Sequence, residues 1–115
     1  MVKKLDKCPT SPNCVCSISL KEDKSYIEPF EVKHSKEISK QKIIDICVKK
    51  LGAKLVEQSE EYLRFVFTTR IFRFKDDVEF LFTLNKIDVR SASRVGYSDM
   101  GTNRKRIEKI RELYL

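Results

Sequence analysis

The sequence predicts an α+β fold, an antiparallel sheet of about four to five strands with two helices packed on one side, in the order β-α-β-β-β-β-α. Three patterns carry this reading. Val78, Phe80, Phe82 and Leu84 alternate with Asp77, Glu79, Leu81 and Thr83, the period of a half-buried strand. Ile43, Ile44, Cys47, Val48 and Leu51 recur at helical spacing, and Ile107, Ile110, Leu113 and Tyr114 make a second helical stripe. A chain of 115 residues has room for one such core.

Taken in order, Cys8-Pro-Thr-Ser-Pro-Asn-Cys14 holds two prolines and turn-forming Ser and Asn, which sets residues 1–25 apart as a loop or arm with a cysteine cluster. A single α+β domain then spans residues 26–115. Its first strand is expected over residues 26–32, at a sheet edge because Pro29 has no N–H for a ladder. A helix capped by Ser35 or Ser39 follows. Gly52 ends it, and Lys49 and Lys50 suit the negative end of its dipole. Residues 53–57, 62–68, a short 71–74, 77–84 and 87–94 read as β.

A two-residue turn at Asn85-Lys86 would set Leu84 opposite Ile87, Leu81 opposite Arg90 and Asp77 opposite Arg94. Asp77, Glu79, Arg90 and Arg94 then share one face, while Val78, Phe80, Phe82 and Val89 point to the core. Ser91 and Ser93 continue the core row, either as a pocket edge or where the strand leaves the core. The last helix starts between Thr102 and Arg104, with Arg104, Lys105, Arg106, Lys109 and Arg111 on its exposed face.

The net charge is +7 and unevenly spread: 11 basic residues face 7 acidic ones in 1–52, 6 face 7 in 53–89, and 7 face 3 in 90–115. That balance is compatible with a polyanionic partner and equally with simple solubility. After Met1-Val2-Lys3-Lys4 the apolar stretch of a secretory leader is missing, and no apolar run approaches a membrane span. A cytoplasmic location is expected for the chain as it stands, and a periplasmic or organellar one if a leader has been removed. Cys8, Cys14 and Cys16 lack the paired spacing of a zinc or iron–sulfur site, so no metal site and no cofactor are expected. A Cys8–Cys14 bridge fits an oxidising compartment, free thiols a reducing one. Cys47 belongs to a helix core face.

The sharpest constellation is Arg90, Ser91, Ser93, Arg94, Gly96, Tyr97, Gly101, Asn103 and Arg104, a strand end, a glycine loop and a helix start. Unpaired helix amides and arginines can hold an anion there. The alternative is that Arg90 and Arg94 pair with Asp77 and Glu79 while Ser98 or Asp99 braces the turn. The spacing is neither a P-loop nor a dinucleotide fingerprint. Asp76 and Asp77, adjacent on a strand, point to opposite faces and do not converge as catalytic carboxylates. His34 reads as a surface residue.

Three stretches carry a family resemblance: Cys8-Pro-Thr-Ser-Pro-Asn-Cys14-Val15, Phe74-Lys-Asp-Asp-Val-Glu-Phe80, and Val89-Arg-Ser-Ala-Ser-Arg-Val-Gly-Tyr-Ser-Asp-Met-Gly-Thr-Asn-Arg-Lys-Arg-Ile107. Over nearly the whole chain these resemble the domain-of-unknown-function 1499 family, small bacterial and plastid proteins without an established activity. The resemblance therefore implies no reaction. The residues favour a non-enzymatic binding or scaffold domain that recognises an anionic small molecule or an acidic protein segment through residues 90–104. A nucleic-acid-binding module ranks second, and an enzyme acting on a phosphorylated substrate third.

Overall fold

The computed structural model describes residues 3–96 and 99–115. Alternation of apolar side chains along residues 62–93 builds the centre of a sheet, and every ladder in it is antiparallel. Its strands are β1 (Cys14–Cys16), β2 (Phe30–Glu31), β3 (Lys54–Ser59), β4 (Tyr62–Thr68), β5 (Lys75–Phe82) and β6 (Lys86–Ser93). They run in the spatial order β1-β6-β5-β4-β3, and β2 pairs the other end of β6. Helices α1 (Lys36–Ile44) and α2 (Thr102–Tyr114) complete the α+β fold.

Six strands exceed the four to five expected, and the additional one comes from the supposed arm. Residues 14–16 pair with Ala92, Ser91 and Arg90, so the segment before residue 26 closes half of an edge that β6 would otherwise leave open. The other half is closed by β2, which keeps only Phe30 and Glu31 of the expected 26–32 strand because Pro29 precedes them. Residues 71–74 form no strand. They make a turn closed by Thr69 N to Phe74 O (2.8 Å) and Phe74 N to Thr69 Oγ1 (2.8 Å), with Arg73 at φ 59°.

Ser35 is the cap of α1, its Oγ accepting from Ile38 N at 3.1 Å, whereas Ser39 is buried and bonds Lys33 N and O. Beyond Ile44 the helix widens into a π-helical turn over Asp45–Lys50, with Leu51 N donating to Ile46 O at 3.0 Å. The wider turn rotates the buried face, so Ile46 and Cys47 enter the core while Val48, expected inward, is exposed. Gly52, at φ 73°, ends the helix in the left-handed conformation that glycine tolerates.

The hairpin turn lies one residue earlier than expected. Thr83 N donates to Lys86 O (2.9 Å), making Leu84 and Asn85 the loop and leaving Leu84 90% exposed. Asp77 therefore faces Ala92 instead of Arg94, Leu81 faces Asp88 instead of Arg90, and Glu79 meets Arg90 directly. Moving a turn by one residue changes opposed positions by two, so each side chain keeps its face. Val78, Phe80, Phe82, Ile87 and Val89 still point inward, against Ile43, Ile46 and Cys47 of the first helix and Ile107, Ile110 and Tyr114 of α2. Both helices thus cover one face. On the other, Leu5 crosses the sheet and packs on Cys16 and Tyr62. No helix among the described residues is long and apolar enough to cross a membrane.

Candidate binding cleft

Where β6 ends, its inward row changes from apolar to polar: Val89 is followed by Ser91 and Ser93. Gly101 (φ 82°) and Met100 (φ 55°) turn the chain back, and α2 begins over these serines. Asp99 braces the turn, Oδ1 accepting from Gly101 N (2.8 Å) and Oδ2 from Asn103 N (3.0 Å). Asn103 and Arg106 are three residues apart on α2 and share its sheet-facing side.

Asn103 is wholly buried and ties four segments together. Its Oδ1 accepts from Ser91 Oγ (2.5 Å) and Arg106 Nη1 (2.9 Å). Its Nδ2 donates towards Asp99 Oδ2 (2.6 Å), Ser93 Oγ (2.9 Å) and Asn13 O (3.1 Å). Asn13 in turn donates to Gly96 O at 2.8 Å, so the N-terminal segment pins the loop.

Beside this hub the inward row of β5 begins with a charge. Asp76 pairs with Ser93 across the ladder and is 1% exposed. Arg106 Nη1 lies 2.8 Å from Asp76 Oδ2, an ion pair by distance but out of line for a hydrogen bond. Neither carboxylate oxygen has a hydrogen-bond partner among the described residues. The Arg106 guanidinium also stacks on Phe67, 4.8 Å from the ring centre, which fixes its position.

Asp76, Ser93, Asp99 and Arg106 form the polar part of a cleft of about 580 Å³. The rest of its wall sets Thr68, Thr69, Arg70 and Thr102 beside an apolar group: Ile71, Phe72 and Phe74 on the 69–74 turn face Val95 and Met100 before α2. These side chains are exposed although large and apolar, and Phe72 stacks on Phe74 with ring centres 5.5 Å apart.

The expected anion site is divided by the sheet. Arg94 bonds Asp77 through Nε (2.8 Å) and Nη2 (2.9 Å) on the face away from the helices, where Arg64 reaches Asp77 at 3.0 Å and Glu57 at 3.4 Å. Hydrogen bonding from Arg94 is the main cause that holds Asp77 below the usual carboxylate range. Arg90 shares that face opposite Glu79, with its Nε buried and without a hydrogen-bond partner among the described residues. Burial raises Glu79 above the usual range, against the pull of Tyr62 and Arg90. Arg104 belongs to α2, on the opposite side, and donates from Nη2 to Lys24 O at 2.7 Å. The three arginines therefore do not converge. Tyr97 and Ser98 lie outside the described residues.

Ser91, Ser93, Gly96 and Asn103 belong to the hub or the cleft, and Gly101 to the turn that Asp99 braces. Arg106 does not lie on the exposed face expected for it, since its side chain is 11% exposed and turned to Asp76. Asp76, weighed only as a partner for Asp77, and Arg106 are the residues missing from the expected site. Their signal was present: stepping back by two from Val78 along the inward row reaches Asp76, a charge in a core position. Cys8 and Cys14 are bridged at 1.99 Å, closing the loop beside Arg104, while Cys16 and Cys47 are buried free thiols. Burial pushes Cys47 up to about 12.

Fold and site together define a small two-layer α+β domain with an open, apolar-walled cleft at the junction of strand, loop and helix. The chain belongs to the family described as "Protein of unknown function (DUF1499)", whose model matches residues 4–113. No curated protein and no solved structure matches it.

Proposed function

We propose that this domain is a non-enzymatic binding module, and that it holds its ligand in the cleft between the 69–74 turn and the residues Val95, Gly96, Asp99, Met100 and Thr102. The observation that carries this reading is Asp76, a buried carboxylate without a hydrogen-bond partner among the described residues, lining a cleft whose wall includes exposed aromatic and aliphatic side chains. A buried charge costs stability unless fully hydrogen-bonded, and exposed apolar clusters of this kind mark interaction sites. Both costs fall when a ligand occupies the cleft. Residues 90–104 remain central to the reading, through Ser93, Gly96 and the turn into α2 rather than through Arg90, Arg94 and Arg104. A fragment screen read by amide chemical shifts tests it. Hits should perturb Thr69, Val95, Gly96 and Thr102 together; hits gathering around Arg90 and Arg94 instead would return the site to the outer face.

One observation favours nucleic acid as a second reading. Phe72 and Phe74 are exposed, stacked and set among Arg70, Arg73 and Lys75, the combination that single strands use for stacking between phosphate contacts. Oligonucleotide binding that falls steeply with salt would support it, and affinity for uncharged fragments that ignores salt would support the cleft.

A further inference from the structure

Resting on the cleft reading above, we infer that the ligand is a small neutral amphiphile, an aliphatic or aromatic body bearing one hydrogen-bond donor such as an amide N–H or a hydroxyl. Three features of the cleft select this class. Its lining charges cancel, since Arg70 and Arg106 stand against Asp76 and Asp99. Asp99 is occupied by Gly101 N, Asn103 N and Asn103 Nδ2, which leaves Asp76 as the acceptor in need. Ile71, Phe72, Phe74 and Val95 then offer only dispersion and desolvation to the rest of the molecule.

An anion entering this cleft meets two carboxylates as well as two guanidiniums and gains no net attraction. A cation meets the Arg106 guanidinium, already 2.8 Å from the same Asp76 oxygen it would seek. A neutral donor satisfies Asp76 without adding a charge to a site whose own charges already balance. A cleft of about 580 Å³ lies in the range of small-molecule sites and suits a single ring system or a medium-length chain.

The test uses four probes that differ only in the head group: octanamide, N,N-dimethyloctanamide, octanoate and octylammonium, each titrated into the whole protein and followed by amide chemical shifts. Octanamide should bind with shifts at Thr69, Val95 and Gly96. The dimethyl compound, which lacks the donor, should bind at least about tenfold more weakly, the usual effect of a hydrogen bond to a charged group. Phe72→Ser, at a position 72% exposed and so unimportant for folding, should weaken every probe that uses the cleft. Equal affinity for the two amides, or preference for octanoate or octylammonium, overturns the inference; if Phe72→Ser still weakens the preferred probe, the cleft itself stands. Failure of all four probes to bind overturns both.

Discussion

Replacing Asn103 with alanine should cost the domain several hydrogen bonds at once and much of its stability. The side chain is fully buried, and its carboxamide can make four good hydrogen bonds at once, two through Oδ1 and two through Nδ2. Two involve the charged partners Arg106 and Asp99, each contributing about 1.5–3 kcal/mol, and the neutral ones about 1 kcal/mol each. Water can replace some of this where Ser93 and Asp99 are part exposed, but not at Ser91, whose hydroxyl is buried and left without its acceptor. The expected net loss is about 3–5 kcal/mol, a large share of the stability of a domain this size. Urea unfolding followed by circular dichroism measures it. Asn103→Asp separates lost bonding from a simple cavity: it keeps the shape but sets a second carboxylate against Asp99 at the position of the 2.6 Å contact, so part of its loss should be recovered at acid pH. A loss below about 1 kcal/mol for Asn103→Ala would refute the hub.

Asp77 is held below its ordinary value of 3.8, so its contribution is complete above that pH and is lost as pH falls through the folded value. Asp77→Asn should therefore destabilise at pH 7 by at most about 1 kcal/mol, given the exposure of Arg94, with the difference vanishing in strong acid; a difference that grows on acidification would contradict the Arg94 pairing. Thiol reagents should leave the native protein unmodified at Cys16 and Cys47 and label both on unfolding, while labelling at Cys8 and Cys14 should need a reductant; fast native labelling of Cys47 would count against the π-helical turn. Gly101→Ala meets no atom within 4 Å but must adopt φ 82°, so a loss of about 1 kcal/mol is expected, and no loss would mean that the turn can relax.

The fold was legible wherever periodicity was strong and uninterrupted. Val78, Phe80 and Phe82 announce β5 and its faces, and Ile107, Ile110 and Tyr114 announce α2. What failed was local. The turn at Leu84-Asn85 could not be told from Asn85-Lys86, because both place asparagine within the loop and both preserve the faces, so only long-range pairing chooses between them. Strand β1 was illegible because three residues in a cysteine- and proline-rich segment show no period; they become a strand only because β6 offers an edge. The arginines misled for a related reason. Arg90 and Arg94 lie on the face of β6 away from the helices and Arg104 rises on α2, so nearness in sequence concealed a sheet between them. Arg106 was placed on the exposed face of the last helix, and Asp76 was weighed only as a partner for Asp77, so the pair appeared only once the inward rows of β5 and α2 were followed to their polar ends.

The most direct test of the central claim removes the charged floor without removing the fold. Removing both partners of a buried ion pair leaves no uncompensated charge, so Asp76→Leu combined with Arg106→Met should still fold, with its thermal midpoint lowered only by the lost Arg106–Asn103 hydrogen bond. If Asp76 is the recognition group of the cleft, octanamide should bind this folded double variant at least about tenfold more weakly. Undiminished affinity for octanamide would show that Asp76 and Arg106 serve the fold alone, and would contradict the account.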